Sequence, residues 1–229
     1  MARGIALYTA SVQNWAAQLN RLLQDERSPG IPPERFRRAR AFVKTEDAHR
    51  CLLAHLLLMR SLGTETGTTG TEICLEYGEK GKPEVSGQPD LHFNLSHSGD
   101  MVVCAVDCHP VGVDVEKIRE IDPDVAQSCF TAAEQSYLNK DLRMFLDRFY
   151  QLWTLKESYL KALGTGLSRS PLSVDMKPVT PDIRKWRTGD ANTFSMESLD
   201  IREGYAAALC GMGEFVVDRM VAFRPDSLT

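Results

Sequence analysis

Asp114 and Glu116 lie two residues apart in an alternating run, Val111-Gly112-Val113-Asp114-Val115-Glu116. Successive side chains of a β-strand point to opposite faces, so the three valines share one face and the two carboxylates share the other with Gly112. Side chains two apart on a strand are separated by roughly 6.5–7 Å, close enough for both carboxylates to reach one divalent cation. Gly112 has no side chain, and the pattern predicts that a bulky ligand approaches the backbone there. Alone, Asp-x-Glu on an alternating strand is more often the solvated face of a half-buried sheet.

A second set of groups lies downstream. Trp153, Glu157 and Lys161 are spaced four apart on a helical stretch and share one stripe. One reading is a surface Glu157–Lys161 ion pair worth about 0.3–0.5 kcal/mol, with Trp153 in the core. The other makes Glu157 a third metal ligand or a base, and has Lys161 neutralise a phosphate oxygen. In Phe93-Asn94-Leu95-Ser96-His97-Ser98, Asn94, Ser96 and Ser98 share a face. His97 at the strand end either donates to a phosphate when protonated, binds a carbonyl, or is satisfied by local backbone. Gly81-Lys82-Pro83 forms a stiffened loop carrying one cation. Arg35 and Arg38, three apart on a basic helical stretch, and Arg50 can supply a pocket for a phosphomonoester, whose geometry guanidinium matches. Thr131-Ala132-Ala133-Glu134 reads as a capping box, which accounts for Glu134 without catalysis and leaves its role open.

The elements that must position these groups follow from periodicity. Residues 4–8 predict a strand, and 11–25 a helix with Val12, Trp15, Leu19 and Leu22 on its apolar stripe. Pro29-Gly30-Ile31-Pro32-Pro33 breaks it, and a basic helix follows over 34–40. Thr45 is placed to cap a helix that Gly63 stops. Residues 64–71 read as a Gly/Thr-rich loop, 72–77 as a strand, and 78–89 as a turn-rich connection. Strands are predicted over 91–96, 101–106 and 111–116, and a long helix over 143–163 ending at Gly164. Short strands near 172–176, 193–199, 205–210 and 215–223 complete a mixed α+β pattern.

Composition narrows the function classes. With 229 residues, 43% hydrophobic and 25% charged, the chain has ordinary globular composition rather than that of a disordered one. A net charge of −4 argues against general nucleic-acid binding. The longest apolar stretch, Leu52 to Met59, is interrupted by His55 and is too short to span a bilayer. The first residues show no leader pattern. The six cysteines form no CxxC pair, and Cys104, Cys108, His97 and His109 complete no zinc spacing. These features predict a cytoplasmic protein with reduced thiols.

Taken in order, several short motifs resemble one family. They are Lys44-Thr45-Glu46-Asp47-Ala48-His49-Arg50, Gly81-Lys82-Pro83, Phe93 to Gly99, Val111 to Lys117, Phe130 to Glu134, Trp153 to Lys161, and Gly164-Thr165-Gly166-Leu167-Ser168. Over about residues 34 to 175 the chain resembles the 4′-phosphopantetheinyl transferases of the surfactin-synthetase-activating (Sfp-like) type. The resemblance implies a fold of two similar α+β halves related by a pseudo-two-fold, residues 1–110 and 111–229, with the active site in the cleft between them. It implies transfer of the phosphopantetheine arm of coenzyme A to a serine of an acyl or peptidyl carrier protein, with release of 3′,5′-ADP and Mg²⁺ as cofactor. Asp114, Glu116 and Glu157 match the family's metal ligands. Arg35, Arg38, Arg50, Lys82, Pro83, Ser96, His97, Lys156 and Lys161 match its coenzyme A contacts, and Glu157, Lys161 and His97 are the expected catalytic groups. Arg35 and Arg38 stand where relatives often carry lysine, and Cys51 where some place a hydroxyl. Members of this length are commonly monomers, acting on neither nucleic acid nor membrane. Two other classes fit parts of the pattern: a non-catalytic coenzyme A or nucleotide-binding module, and a metal-dependent nucleotide phosphohydrolase.

Overall fold

The structure, a computed structural model, describes residues 3–25, 30–78, 82–164, 169–179, 184–188 and 193–225. Strand β1 (Arg3–Ser11) leads directly into helix α1 (Val12–Gln24), because the Ser11 hydroxyl accepts from Asn14 N–H as its N-cap. Helix α2 (Pro33–Arg40) opens on proline, whose fixed φ suits a first helical position. Helix α3 (Thr45–Thr66) follows, then the hairpin β2 (Leu75–Tyr77) and β3 (Pro83–Val85). Three consecutive strands come next: β4 (His92–Ser98), β5 (Met101–Asp107) and β6 (Val111–Lys117). Short helices α4 (Val125–Cys129) and α5 (Ala132–Leu138) precede the long helix α6 (Phe145–Leu163). The chain closes with β7 (Met176–Pro178), β8 (Lys185–Thr188), β9 (Phe194–Leu199), β10 (Tyr205–Met212) and β11 (Phe215–Ala222).

Beside the two-stranded β2-β3 hairpin, the described strands form two larger sheets, in the orders β11-β1-β5-β4 and β6-β10-β9-β8-β7. They pack on each other through one apolar layer. Ile5, Leu7, Val103 and Ala105 of the first sheet meet Val111, Val113, Val115 and Leu209 of the second. The opposite face of the first sheet, with Tyr8, Val102 and Cys104, is covered by α3 and α1. The opposite face of the second sheet, with Ala208 and Cys210, is covered by α6. The order of layers is therefore helix, sheet, sheet, helix, which makes the chain α+β as expected. β11 pairs parallel to β1, so the end of the chain returns to the first sheet.

Several local expectations are corrected. α3 begins at Thr45 but Lys44 occupies the N-cap, so the Thr45 hydroxyl is not the cap. The helix runs through Gly63 and ends at Gly67, whose φ of 69° is the left-handed C-cap conformation. Gly63 serves packing instead: a Cβ there would lie 2.8 Å from Thr68 O. The turn-rich connection at 78–89 contains β3, and β8 had no counterpart in the pattern. Residues 171–173 are a 3₁₀ turn, and the strand predicted near 172–176 begins only at Met176. Gly112 does not admit a ligand. A Cβ there would sit 2.0 Å from Ser158 O and 2.5 Å from Ala162 N, so its bareness lets α6 lie against β6. Gly81 and residues 165–168 lie outside the described residues.

Candidate active site

β4 and β6 run side by side without a backbone ladder, joined instead by side chains. Asn94 Oδ1 accepts from Val113 N–H at 3.0 Å. Ser96 Oγ donates to Asp114 Oδ1 at 2.8 Å, and Ser98 Oγ donates to Glu116 Oε2 at 2.6 Å. The polar face of one strand is thereby keyed to the acidic face of the other. α6 supplies the third wall. Trp153, Glu157 and Lys161 line a cavity of about 410 Å³ together with Arg35, Ser96, His97, Asp114 and Glu116.

Charge is unevenly neutralised in this cavity. Lys161 Nζ donates to Asp114 Oδ1 at 2.6 Å, to Ser96 Oγ at 3.0 Å and to Val113 O at 3.3 Å. Asp114 is 3% exposed, and its other oxygen, Oδ2, is buried with no hydrogen-bond partner. Burial, and then the neighbouring Asp114 charge, raises the pKa of both Glu116 and Glu157 above the ordinary carboxylate value. Ser98 opposes the rise at Glu116, and Lys161 opposes it at both. The oxygens of the three carboxylates do not all lie within 4.8 Å of one another, since Lys161 and Ser96 hold Asp114 while Ser98 holds Glu116.

The other expected contacts are distributed around this centre. Surrounding protein, then the positive charges of Arg50 and Lys161, hold His97 below the ordinary histidine pKa, so its ring is neutral at pH 7. Arg35 also lines a neighbouring cavity of about 580 Å³ beside Arg38, His55 and Tyr77. Lys82 and Pro83 line a third cavity at the C-terminal end of α6, where Lys82 Nζ donates to Lys161 O at 3.4 Å. The Arg50 guanidinium donates to Gly99 O at 2.7 Å and pairs with Asp47.

Lys156 corrects an expectation. It is fully buried, and its ammonium meets Glu134 at 2.6 Å, Cys129 O at 3.1 Å and Pro171 O at 3.0 Å. All three N–H donors are used inside the protein, leaving none for coenzyme A. Glu134 is equally occupied. It closes the capping box on Thr131 N–H, accepts from Met176 N–H at 2.8 Å and pairs with Lys156. Phe130 and Leu138 are fully buried, and Phe130 packs edge-on against Phe149. Ser98, which holds Glu116, lies outside the expected set of site residues. Its signal was the Asn94/Ser96/Ser98 alternation, which gains meaning only when β6 lies opposite.

Comparison with known proteins assigns the family. The N-terminal model of the 4′-phosphopantetheinyl transferases matches residues 10–109, and the model of the 4′-phosphopantetheinyl transferase superfamily matches residues 110–210. The chain belongs to the 4′-phosphopantetheinyl transferase superfamily. Among its relatives, 4′-phosphopantetheinyl transferase Sfp of Bacillus subtilis is 41% identical over 60% of this chain and 62% of its own length. The transferase gsp of Aneurinibacillus migulanus is 42% identical over 55% of this chain and 53% of its own. The human L-aminoadipate-semialdehyde dehydrogenase-phosphopantetheinyl transferase is 29% identical over 78% of this chain and 67% of its own. The matched part spans 62% of Sfp and 53% of gsp, less than two thirds of either length. The two superfamily matches meet at residues 109 and 110, in the turn between β5 and β6, immediately before the strand that carries Asp114 and Glu116.

Proposed function

We propose that this protein transfers the 4′-phosphopantetheine group of coenzyme A to a serine of an acyl or peptidyl carrier protein. The observation that carries the reading is the cavity in which Asp114, Glu116 and Glu157 face Arg35, His97 and Lys161. The serine Oγ forms a bond to the phosphorus that bears pantetheine. The bond from that phosphorus to the bridging oxygen breaks, and 3′,5′-ADP leaves. Such a step depends on positioning and charge neutralisation more than on covalent help.

The donor set fits Mg²⁺. It is all oxygen, Asp114 Oδ2 is buried without a partner, and the pKa values of Glu116 and Glu157 are raised by burial and then by the Asp114 charge. Asp114, Glu116 and Glu157 would hold the ion, which when bound neutralises pyrophosphate charge. Lys161 steadies Asp114 and presents its cation to the phosphates. Arg35 and Arg38 bind the 3′-phosphate, and His97 with Ser96 borders the path between. Glu157, with its raised pKa, accepts the serine proton. The substrate lies between the halves 1–110 and 111–229, apart from β11, which returns to the first sheet. The same reading takes the protein as a cytoplasmic monomer, in keeping with six unpaired cysteines. Among the described residues no helix is long and apolar enough to cross a membrane.

The deciding measurement is the mass of an apo carrier protein incubated with the full chain, coenzyme A and Mg²⁺. A gain of one phosphopantetheine is the expected result. Coenzyme A binding without any gain would mark a binding module, and nucleotide release without any gain a phosphohydrolase.

A further inference from the structure

The turn from β5 to β6 contains Asp107, Cys108 and His109 in succession. One carboxylate oxygen of Asp107, the Cys108 sulfur and one ring nitrogen of His109 lie within 4.8 Å of one another. The sulfur and His109 Nδ1 are 3.1 Å apart. Cys108 and His109 are exposed, whereas Asp107 is 5% exposed. Arg3 lies 2.8 Å from Asp107 Oδ2, yet neither of the two buried Asp107 oxygens receives a well-formed hydrogen bond. A buried carboxylate oxygen without a donor is costly unless something else satisfies it. His92 stands directly opposite Asp107 in the antiparallel β4–β5 pair. Paired residues point to the same face of a sheet, so the His92 ring shares the face of Asp107. It lines the cavity that Pro110 of the same turn also lines.

One carboxylate, one thiol and two imidazoles make up the donor set of a tetrahedral, borderline-soft cation. We infer that this corner binds Zn²⁺ through Asp107, Cys108 and His109, with the His92 ring, which lies outside that three-residue cluster, turning in as the fourth ligand. On binding, the thiol proton goes to solvent, and thiolate and carboxylate balance the two positive charges. Arg3 then holds the second carboxylate oxygen as an outer partner that orients the ligand. The ion would tie together the start of β4, the end of β5 and the turn into β6. The site is separate from Asp114, Glu116 and Glu157, whose oxygen-only donors suit a hard cation. Linear spacing misses it because two of its ligands are brought together only across paired strands.

The test uses Co²⁺ as the spectroscopic probe for Zn²⁺. The reduced, chelator-treated full chain is titrated with Co²⁺ in excess Mg²⁺, which occupies oxygen sites and competes poorly for thiolate. A near-ultraviolet thiolate-to-cobalt band should appear, saturate at one equivalent and bleach on adding Zn²⁺. Cys108→Ser should remove the band while leaving the circular dichroism of the metal-free chain unchanged, because residue 108 is an exposed turn position. His109→Ala and His92→Ala should each weaken Co²⁺ binding by about tenfold or more, at least the loss expected for an outer partner. Absence of the band in the unaltered chain, or its survival in Cys108→Ser, would overturn the site. Unchanged affinity in His92→Ala would remove His92 from the ligand set.

Discussion

Lys161 and Asp114 form the charged hinge of the site at the scale of single residues. Their 2.6 Å contact fixes Asp114 Oδ1 and leaves Oδ2 as the open buried acceptor. Asp114→Asn removes the charge while keeping the shape. It should lower kcat/KM for carrier modification by roughly 10²–10³-fold, the order seen when one preorganised electrostatic group is lost. Circular dichroism should be unchanged, and activity near that of the unaltered chain would exclude Asp114 from the metal site. Glu157 makes a pH prediction. Its folded pKa is raised by burial and by Asp114, so below that value the native state holds a proton the unfolded chain has released. Its charged form therefore destabilises the metal-free protein at neutral pH, and the penalty fades as pH falls into the ordinary carboxylate range. Glu157→Gln should have the higher thermal midpoint at neutral pH without metal, and its advantage should shrink as pH is lowered. Saturating Mg²⁺ should reverse the order, because the ion needs the ionised carboxylate. A pH-independent difference would show that Glu157 titrates normally.

Two packing relationships act at the scale of elements. β6 and α6 touch through Gly112, where a Cβ would collide with the helix backbone rather than with a movable side chain. Gly112→Ala must push α6 away and carry Glu157 and Lys161 with it. It should cost about 1–3 kcal/mol or more, a fall of several degrees in thermal midpoint, and it should reduce transfer activity beyond the stability loss. An active variant of unchanged midpoint would mean that α6 yields freely. The second relationship is the Lys156–Glu134 pair, which ties α6 to the start of α5. Breaking it from one side with Lys156→Met should cost about 3–5 kcal/mol, because a charge is left buried. The double variant Lys156→Met/Glu134→Gln should recover much of that loss. Its KM for coenzyme A should stay unchanged, whereas a marked rise in KM would return Lys156 to the ligand contacts.

At the scale of the whole molecule, the far end of the chain completes the first sheet. β11 pairs with β1, and beyond it Phe223 stacks on Trp15 with ring centroids 4.6 Å apart. Trp15 Nε1–H donates to Phe223 O at 3.2 Å, so a buried indole donor depends on a residue 208 positions later. Phe223→Ala should cost about 3–5 kcal/mol, as deletion of a buried aromatic side chain does. The loss should be read as a lower thermal midpoint with little change in KM for coenzyme A, since Phe223 lies outside the central cavity. A midpoint shift of less than about 2 °C would show that the N-terminal core closes without the chain's end.

Much of this was legible in the sequence. The valine alternation placed Asp114 and Glu116 on one face of β6, because a strand's side chains alternate whatever surrounds it. Four-residue spacing likewise put Trp153, Glu157 and Lys161 on one stripe of α6, and the Thr131–Glu134 box announced its helix start. These are local properties, set by backbone geometry within a few residues. Tertiary structure decided the rest. Lys156 and Lys161 look alike in the sequence, yet one is sealed against Glu134 and the other opens to the cavity, because five residues along α6 rotate the side chain by about 140°, from the core face to the face that lines the site. Gly112 read as room for a ligand and proved to be room for a helix, since only packing reveals what approaches a bare backbone. Asp107 and His92 are 15 positions apart and become partners only through strand pairing. Which polar groups meet, and which are left buried without a donor, depends on contacts between distant segments that no local periodicity encodes.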